Sequence, residues 1–312
     1  MNVLFWGTPE FAAPSLRALL GEGFEVVGVV TQPDRPQGRS RSRMVPSPIK
    51  EIALEENLPL YQPETARDPV FLEAIRALAP DVSVVVAYGN ILPVTAIDIP
   101  AIGTFNVHAS LLPHLRGAAP IQAAIRDGLT ETGVTIIRLV PALDAGPMLL
   151  RRMTPIADDE TYGELTLRLA ELGAVALIEA LALLQLGAVI EQPQDESAAT
   201  YAGKVDRATT RIDWSLPAVQ VSRAIRAYDP RPGAFAVVGD TEVKLFAASV
   251  GDSVHPEHTP GTVLDAGADG LIIACADATA VRILQVQPAG KARMAAADWI
   301  RGRGVSVGDR LS

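Results

Sequence analysis

The chain has a single cysteine, Cys275, among its 312 residues. That excludes an internal disulfide and any metal site built from several thiolates, and it suits the reduced environment of the cytoplasm. Histidines are also few, four in all. His114, His255 and His258 lack partners at ligand spacing, so they read as surface or structural groups and no metal is expected. The longest apolar stretch, Ala174 to Ile190, is broken by Glu179 and Gln185, which makes it a buried helix rather than a membrane span. The opening Met1-Asn2-Val3-Leu4-Phe5-Trp6 has no basic segment and reaches Gly7-Thr8-Pro9 too early for a secretory leader. No Gly-x-Gly-x-x-Gly follows this first apolar run, which disfavours a nicotinamide-dependent enzyme. Internal repeats and low-complexity tracts are absent too. Excess positive charge is missing as well: 27 Lys and Arg face 36 Asp and Glu, a net charge of −9, which argues against indiscriminate nucleic-acid binding.

What is present fits a soluble globular protein of two domains, with 48% hydrophobic and 20% charged residues. Val3 to Trp6, Val26 to Val30 and Val82 to Val86 are apolar runs of strand length without polar alternation, as in strands buried on both faces. Between them, Thr8, Ser47 and Asp68 each precede a proline, the pattern of a capping side chain ahead of the first helical residue. This order predicts an α/β domain with a Rossmann-like, mostly parallel sheet over residues 1–188. A long helix is expected from about Thr161 to Leu186, with Leu165, Leu169, Leu172, Ala176 and Leu183 on one stripe. Residues 189–203 are polar and read as an exposed linker. From 204 to 312, the short runs Glu242–Ala247, Gly261–Leu264, Leu271–Cys275 and Val281–Val286 are separated by Gly, Asp and Pro, which favours a small β-barrel or sandwich.

Basic charge is local. Residues 204–312 carry 13 Lys and Arg against 12 Asp and Glu, a net of +1, which leaves −10 for the first 203. The densest cluster is Arg35, Arg39, Arg41, Arg43 and Lys50, with no acidic residue inside it and with Gly, Ser and Pro around it. Such a stretch is either a solvated mobile loop or one that meets nucleic-acid phosphates.

The most telling segment is Phe105-Asn106-Val107-His108-Ala109-Ser110-Leu111-Leu112-Pro113. On a strand, positions two apart share a face, so Asn106 and His108 stand side by side where the strand gives way to a loop. An amide donor beside an imidazole suits a reaction that passes through a tetrahedral oxyanion. The same pair would also serve as a hydrogen-bonded strand end with no chemistry. With Arg116-Gly117-Ala118-Ala119-Pro120-Ile121-Gln122 and Leu143-Asp144-Ala145-Gly146 downstream, the chain resembles the folate-dependent formyltransferases. Gly7-Thr8-Pro9-Glu10-Phe11, Thr31-Gln32-Pro33-Asp34-Arg35-Pro36, Pro46-Ser47-Pro48-Ile49-Lys50, Ala199-Thr200-Tyr201-Ala202, Arg211-Ile212-Asp213-Trp214 and Gln287-Pro288-Ala289-Gly290-Lys291 extend the likeness from residue 7 to residue 291. They match the branch of the family that acts on methionyl-tRNA.

The resemblance implies transfer of a formyl group from 10-formyltetrahydrofolate to the amino group of initiator methionyl-tRNA, with no metal. In that reading Asn106 and His108 stabilise the developing oxyanion. Asp144, 36 residues beyond His108, supports the imidazolium and assists removal of the amine proton; by itself it would read as a turn-capping aspartate. Ser110, Leu111, Leu112 and Pro113 match the family's folate-binding tetrapeptide. Tyr88, Gly89, Asn90, Ile91, Leu92 and Val140 are expected to wall the folate pocket, or else to form a plain strand exit. The basic stretch corresponds to a loop that enters the tRNA acceptor stem, and the C-terminal domain to an OB-like β-barrel that holds tRNA. A cytoplasmic monomer without membrane contact completes the expectation. His114, Ala142, Pro147 and Gly203 depart from the family pattern without removing a catalytic group. A transferase for a small amine, such as an amino-sugar nucleotide or glycinamide ribonucleotide, would need neither the basic stretch nor the barrel. A non-catalytic RNA-binding protein on the same fold would not need the intact trio.

Overall fold

The computed structural model describes residues 1–37, 43–251 and 257–312. Arg39, Arg41 and His255 lie outside the described residues. In chain order the elements are β1 (Asn2–Gly7), α1 (Ala13–Gly21), β2 (Glu25–Val30), β3 (Arg35–Gln37), β4 (Arg43–Val45), α2 (Pro48–Glu55), β5 (Leu60–Tyr61), α3 (Pro69–Ala77) and β6 (Val82–Val86). Then come α4 (Val94–Ile97), β7 (Gly103–His108), β8 (Arg116–Gly117), α5 (Pro120–Arg126), β9 (Glu131–Arg138), β10 (Met148–Pro155), α6 (Tyr162–Gln185) and β11 (Tyr201–Ala202). The C-terminal part adds α7 (Ala218–Ala227), β12 (Ala234–Val238), β13 (Thr241–Val250), β14 (Val263–Gly267), β15 (Gly270–Ala274), β16 (Ala280–Pro288), β17 (Met294–Ala295) and α8 (Ala296–Arg301).

Two compact units result. The first is Met1–Gly117, Thr132–Thr154 and Thr166–Tyr201; the second is Ala118–Glu131, Pro155–Leu165 and Ala202–Ser312. They cut across the sequential division at residues 188 and 204 that the change of texture suggests. Residues 118–131 and 155–165 belong with the C-terminal part because they bond to it and to each other. Ile156 N donates to Thr130 O at 2.9 Å, Arg226 Nη1 to Glu160 O at 2.8 Å, and Gly163 N to Asp229 O at 2.9 Å.

The first unit is built on a seven-stranded sheet in the order β10-β9-β7-β6-β1-β2-β5. β1 pairs in parallel with β2 and β6, β6 with β7, and β2 with β5, while β7 and β9 run antiparallel. The uninterrupted apolar runs are explained by position: Val3, Leu4, Phe5 and Trp6 are fully buried, and every residue of β6 is buried. Ser47 and Asp68 cap α2 and α3 as expected, accepting from Lys50 N and from Val70 N and Phe71 N. Thr8 does not cap. The first turn after β1 is a 3-10 helix begun by Pro9, and Thr8 Oγ1 instead donates to Tyr88 O at 2.9 Å, tying the ends of β1 and β6. α6 covers the sheet closely: a Cβ on Gly173 would come within 2.9 Å of Val107 Cγ1 on β7.

Two expected loops are more ordered than their composition suggests. Part of the basic stretch is a hairpin, with Arg35 opposite Val45 and Pro36 opposite Met44. The expected linker 189–203 is stitched to the first unit, with Gln192 and Met148 exchanging both backbone hydrogen bonds.

The second unit carries an antiparallel sheet in the order β12-β13-β16-β15-β14, with β17 on β16. Leu245, Ile273, Ile283, Val286, Ile225 and Trp214 are among its core. β12 and β14 do not pair with each other among the described residues, so the sheet is not a closed barrel by strand pairing. The C-terminal residues reach both edges: Ser312 and Val237 exchange backbone hydrogen bonds, and Leu311 N donates to Gly261 O at 2.8 Å. Cys275 is buried in this core, and burial pushes its thiol up to about 12.

Candidate active site

The strand order places the site. From β1 the chain turns to β2 and β5 on one side and to β6 and β7 on the other, and ligands of open α/β sheets bind beyond the strands' carboxyl ends where the order reverses. The loops after β6 and β7 leave that edge together, since Val85 and Asn106 are paired in register.

Asn106 and His108 share one face of β7, while Val107 between them packs toward α6. Asn106 is half-buried, and no group among the described residues takes up its side-chain amide. His108 is 5% exposed. Its Nε2 lies 3.0 Å from Leu115 O. A carbonyl only accepts, so Nε2 carries a proton and Nδ1 is the nitrogen turned to Asp144. Nδ1 stands 3.7 Å from Asp144 Oδ2. The fold thus brings together two residues that the sequence separates by 36 positions.

Asp144 occupies a left-handed position, φ 48°, in the turn between β9 and β10. Aspartate tolerates this conformation better than most residues. Its Oδ2 accepts from Gly117 N at 2.9 Å. Gly146 lets the turn lie against β9, because a Cβ there would collide with Arg138 O. Ala142 is not among the residues with positive φ, so alanine strains nothing at that place.

The loop after His108 is pinned from β9. Thr135 Oγ1 donates to Ser110 O at 2.7 Å and accepts from Leu112 N at 3.1 Å. Ser110 Oγ donates to His114 O at 2.6 Å, and Leu112 is buried against Ile137 and Met148. The side chains of Ser110 and Leu112 therefore hold the loop, while Leu111 and Pro113 are half-buried. The expected folate walls divide similarly. Tyr88 and Leu92 are core residues; Tyr88 sits edge-on to Trp6 with centroids 5.2 Å apart, and burial pushes its hydroxyl up to about 12. Gly89, Asn90 and Ile91 are exposed, Gly89 with φ 94°, and Val140 is half-buried. Asn90 Nδ2 donates to Gln32 Oε1 at 3.1 Å.

Of the basic cluster, Arg35 is exposed on β3 and Arg43 opens β4. Lys50 is different: its ammonium pairs with Asp34 at 2.7 Å, and Gln62 Nε2 donates to the other oxygen at 2.9 Å. Lys50 and Gln62 hold the Asp34 carboxyl below the usual carboxylate range. Asp34 lies one residue before the stretch whose charge looks uncompensated in the sequence.

Sequence reasoning missed Arg116, Thr135, Gln194 and Thr200, which hold the site from behind. Arg116 is 1% exposed and pairs with Glu196 at 2.7 Å. Its only legible signal was an arginine within an apolar Gly-Ala-Ala-Pro stretch. No group of three His, Cys, Asp or Glu side chains that could hold a metal occurs among the described residues.

The chain is similar to known proteins over its whole length. Residues 1–181 match the family model described as formyl transferase, and residues 204–304 match that of the formyl transferase C-terminal domain. The chain is 47% identical over 311 residues to a methionyl-tRNA formyltransferase of Aromatoleum aromaticum, covering 100% of this chain and 97% of that one. Among solved structures, WlaRD, a sugar 3N-formyl transferase determined with dTDP and 5-N-formyl-THF, superimposes with a TM-score of 0.67 at 16% identity, covering 94% of this chain and 99% of that one. HypX from Aquifex aeolicus in complex with tetrahydrofolic acid gives a TM-score of 0.65 at 20% identity, covering 96% of this chain and 47% of that longer one. These two likenesses concern the fold.

Proposed function

Because the chain belongs to the formyl transferase family, we propose that it transfers the formyl group of 10-formyltetrahydrofolate to the amino group of initiator methionyl-tRNA. The acceptor follows from the full-length likeness to methionyl-tRNA formyltransferases. The observation that carries the chemistry is His108 held between Leu115 O and Asp144 at the end of the strand that bears Asn106.

The reaction needs an uncharged amine to attack the formyl carbon while negative charge builds on the formyl oxygen. Asn106 supplies an amide donor to that oxygen, and protonated His108 supplies a second donor from Nδ1. Each such donor is worth ~10²–10³ in rate. Asp144, whose Oδ2 stands 3.7 Å from Nδ1 of His108, takes the proton that the amine loses, directly or through water. That proton ends on N10 of the departing tetrahydrofolate, so the products are a formylated amine and tetrahydrofolate. The donor is a co-substrate consumed in each turnover. The exposed edge Gly89-Asn90-Ile91 and the backbone of Ser110–Pro113 are the groups that would receive its pterin, by hydrogen bonds from the main chain and apolar contact.

Arg35, Arg39, Arg41 and Arg43 meet acceptor-stem phosphates in this reading, whereas Lys50 steadies the base of the hairpin through Asp34. The second unit holds the remainder of the tRNA as an OB-like barrel, a reading supported by the C-terminal residues that join the edges of β12 and β14. The protein works as a cytoplasmic monomer. The test is formyl transfer from 10-formyltetrahydrofolate to initiator methionyl-tRNA, run beside uncharged tRNA, free methionine and amino-sugar nucleotides. Transfer confined to the charged tRNA is expected. Transfer to a small amine alone would replace this acceptor with another.

A further inference from the structure

Asp144 holds a left-handed backbone conformation, and among the described residues its carboxylate has one hydrogen-bond donor from the main chain, Gly117 N. Something must keep its turn from relaxing. Gln194 is in place to do so: its Nε2 donates to Asp144 O at 2.7 Å and to Gly146 O at 2.8 Å, bracketing the turn with one amide group. The amide cannot be reversed. Its Oε1 accepts from Arg116 Nε at 3.1 Å and Nη2 at 2.8 Å, and a guanidinium only donates. Arg116 is in turn fixed by two bonds to Glu196, Nη1 to Oε2 at 2.9 Å and Nη2 to Oε1 at 2.7 Å.

The geometry points to Gln194 as a positioning residue for Asp144, locked in orientation by the buried Arg116. Residues Leu115 to Gly117 form a short rail between the two acting side chains: Leu115 O meets His108, Gly117 N meets Asp144, and Arg116 reaches back to Gln194. The same polar segment steadies the rail from its other end. Thr200 Oγ1 accepts from Leu115 N at 2.9 Å, and Thr200 O accepts from Arg116 N at 2.9 Å. Residues 194–200, which composition marks as linker, therefore form a strap across the back of the site. Gln194 touches no reacting atom; it acts by keeping Asp144 where the amine proton can reach it. This inference rests on the formyl-transfer reading above.

The test is Gln194→Glu, which keeps size and the bond to Arg116 but turns the two donated hydrogen bonds into oxygen facing carbonyl oxygen. With formyl donor and methionyl-tRNA saturating, kcat should fall between ~10- and ~10²-fold, as for a misplaced reacting group, with both KM values within about twofold. In an Asp144→Asn background the same change should cost less than about twofold more, because its target is already disabled. The crystal structure of Gln194→Glu offers a readout without activity: the 2.9 Å contact of Asp144 Oδ2 with Gly117 N should open. An unchanged kcat, or a loss as large in the Asp144→Asn background as in the parent, overturns the inference. Gln194→Met, isosteric and unable to donate, carries the same comparison if the glutamate variant does not fold. A wild type inactive toward methionyl-tRNA in this assay would remove the formyl-transfer reading and this inference with it. An active wild type with an indifferent Gln194 removes only the inference.

Discussion

The end of β7 and the hairpin that starts at Arg35 both gather polar residues, and they are built in opposite ways. His108 is 5% exposed, and each of its neighbours is held by at least one further hydrogen bond: Leu115 by Thr200, Asp144 by Gly117 and Gln194. Arg35 stands exposed on a strand of three residues. The difference suits the tasks proposed for them. A group that stabilises charge developing on one oxygen must be fixed before that charge appears, because reorganisation in the transition state would cancel its advantage. A group that meets a phosphate backbone acts through long-range, salt-screened attraction and needs only to be displayed. Lys50 belongs to the first type of construction although its sequence neighbourhood suggests the second.

Substitutions can break that contrast at either end. The largest effect is expected for Asp144→Asn and His108→Ala, each lowering turnover by ~10² or more with tRNA affinity nearly unchanged, since the proposed function has both act on developing charge. Steady-state kinetics with a parallel tRNA binding measurement checks this, and near-normal turnover would remove that residue from the chemistry. In the basic stretch, replacing Arg35, Arg39, Arg41 and Arg43 together should weaken tRNA binding and reduce the slope of log affinity against log salt by ~1 for each phosphate that is no longer neutralised. Lys50→Ala should instead leave that slope alone and lower thermal stability, because it removes the ammonium paired with Asp34 and leaves that carboxylate only the Gln62 amide. An unchanged slope in the arginine variant would mean that these arginines do not touch phosphate.

Two smaller effects sharpen the contrast between held and displayed groups. Gly146→Ala should lower stability by ~1–3 kcal/mol, the usual cost of overpacking, and turnover with it, because the new methyl forces the Asp144 turn away from Arg138 O. Thermal unfolding and kcat measured together would show it. The smallest effect concerns Cys275. Its thiol ionises only toward about 12 in the fold against 9.0 ordinarily, so the native protein should resist maleimide at pH 8 and react fully in denaturant. Its contribution to stability is present below pH 9 and declines as pH rises from there toward 12, because the unfolded thiol ionises first. Rapid labelling of the native protein would contradict the burial.

How much of this was legible in the sequence depended on the physics behind each feature. The buried parallel strands announced themselves through unbroken apolar runs, and Ser47 and Asp68 through the proline that follows each. The Asn106–His108 pair was readable because a strand fixes a two-residue period. Thr8 carried the same proline signal as the true caps, yet its hydroxyl serves Tyr88 O, a partner 80 residues away that no local pattern encodes. Gln194 was invisible for the same reason. In a polar stretch one glutamine looks like any other, and only the fold sets it against Asp144. The compact units likewise depend on long-range bonds, such as Arg226 to Glu160, that a change of texture near residue 204 does not report.

The most direct test of the central claim is a single-turnover measurement of formyl transfer from 10-formyltetrahydrofolate to initiator methionyl-tRNA, comparing wild type with Asn106→Ala, His108→Ala and Asp144→Asn. Rapid transfer by the wild type, slowed by ~10² or more in each variant with both substrates still bound, is the expected result. Transfer that persists at wild-type rate in all three would place the chemistry somewhere other than the end of β7.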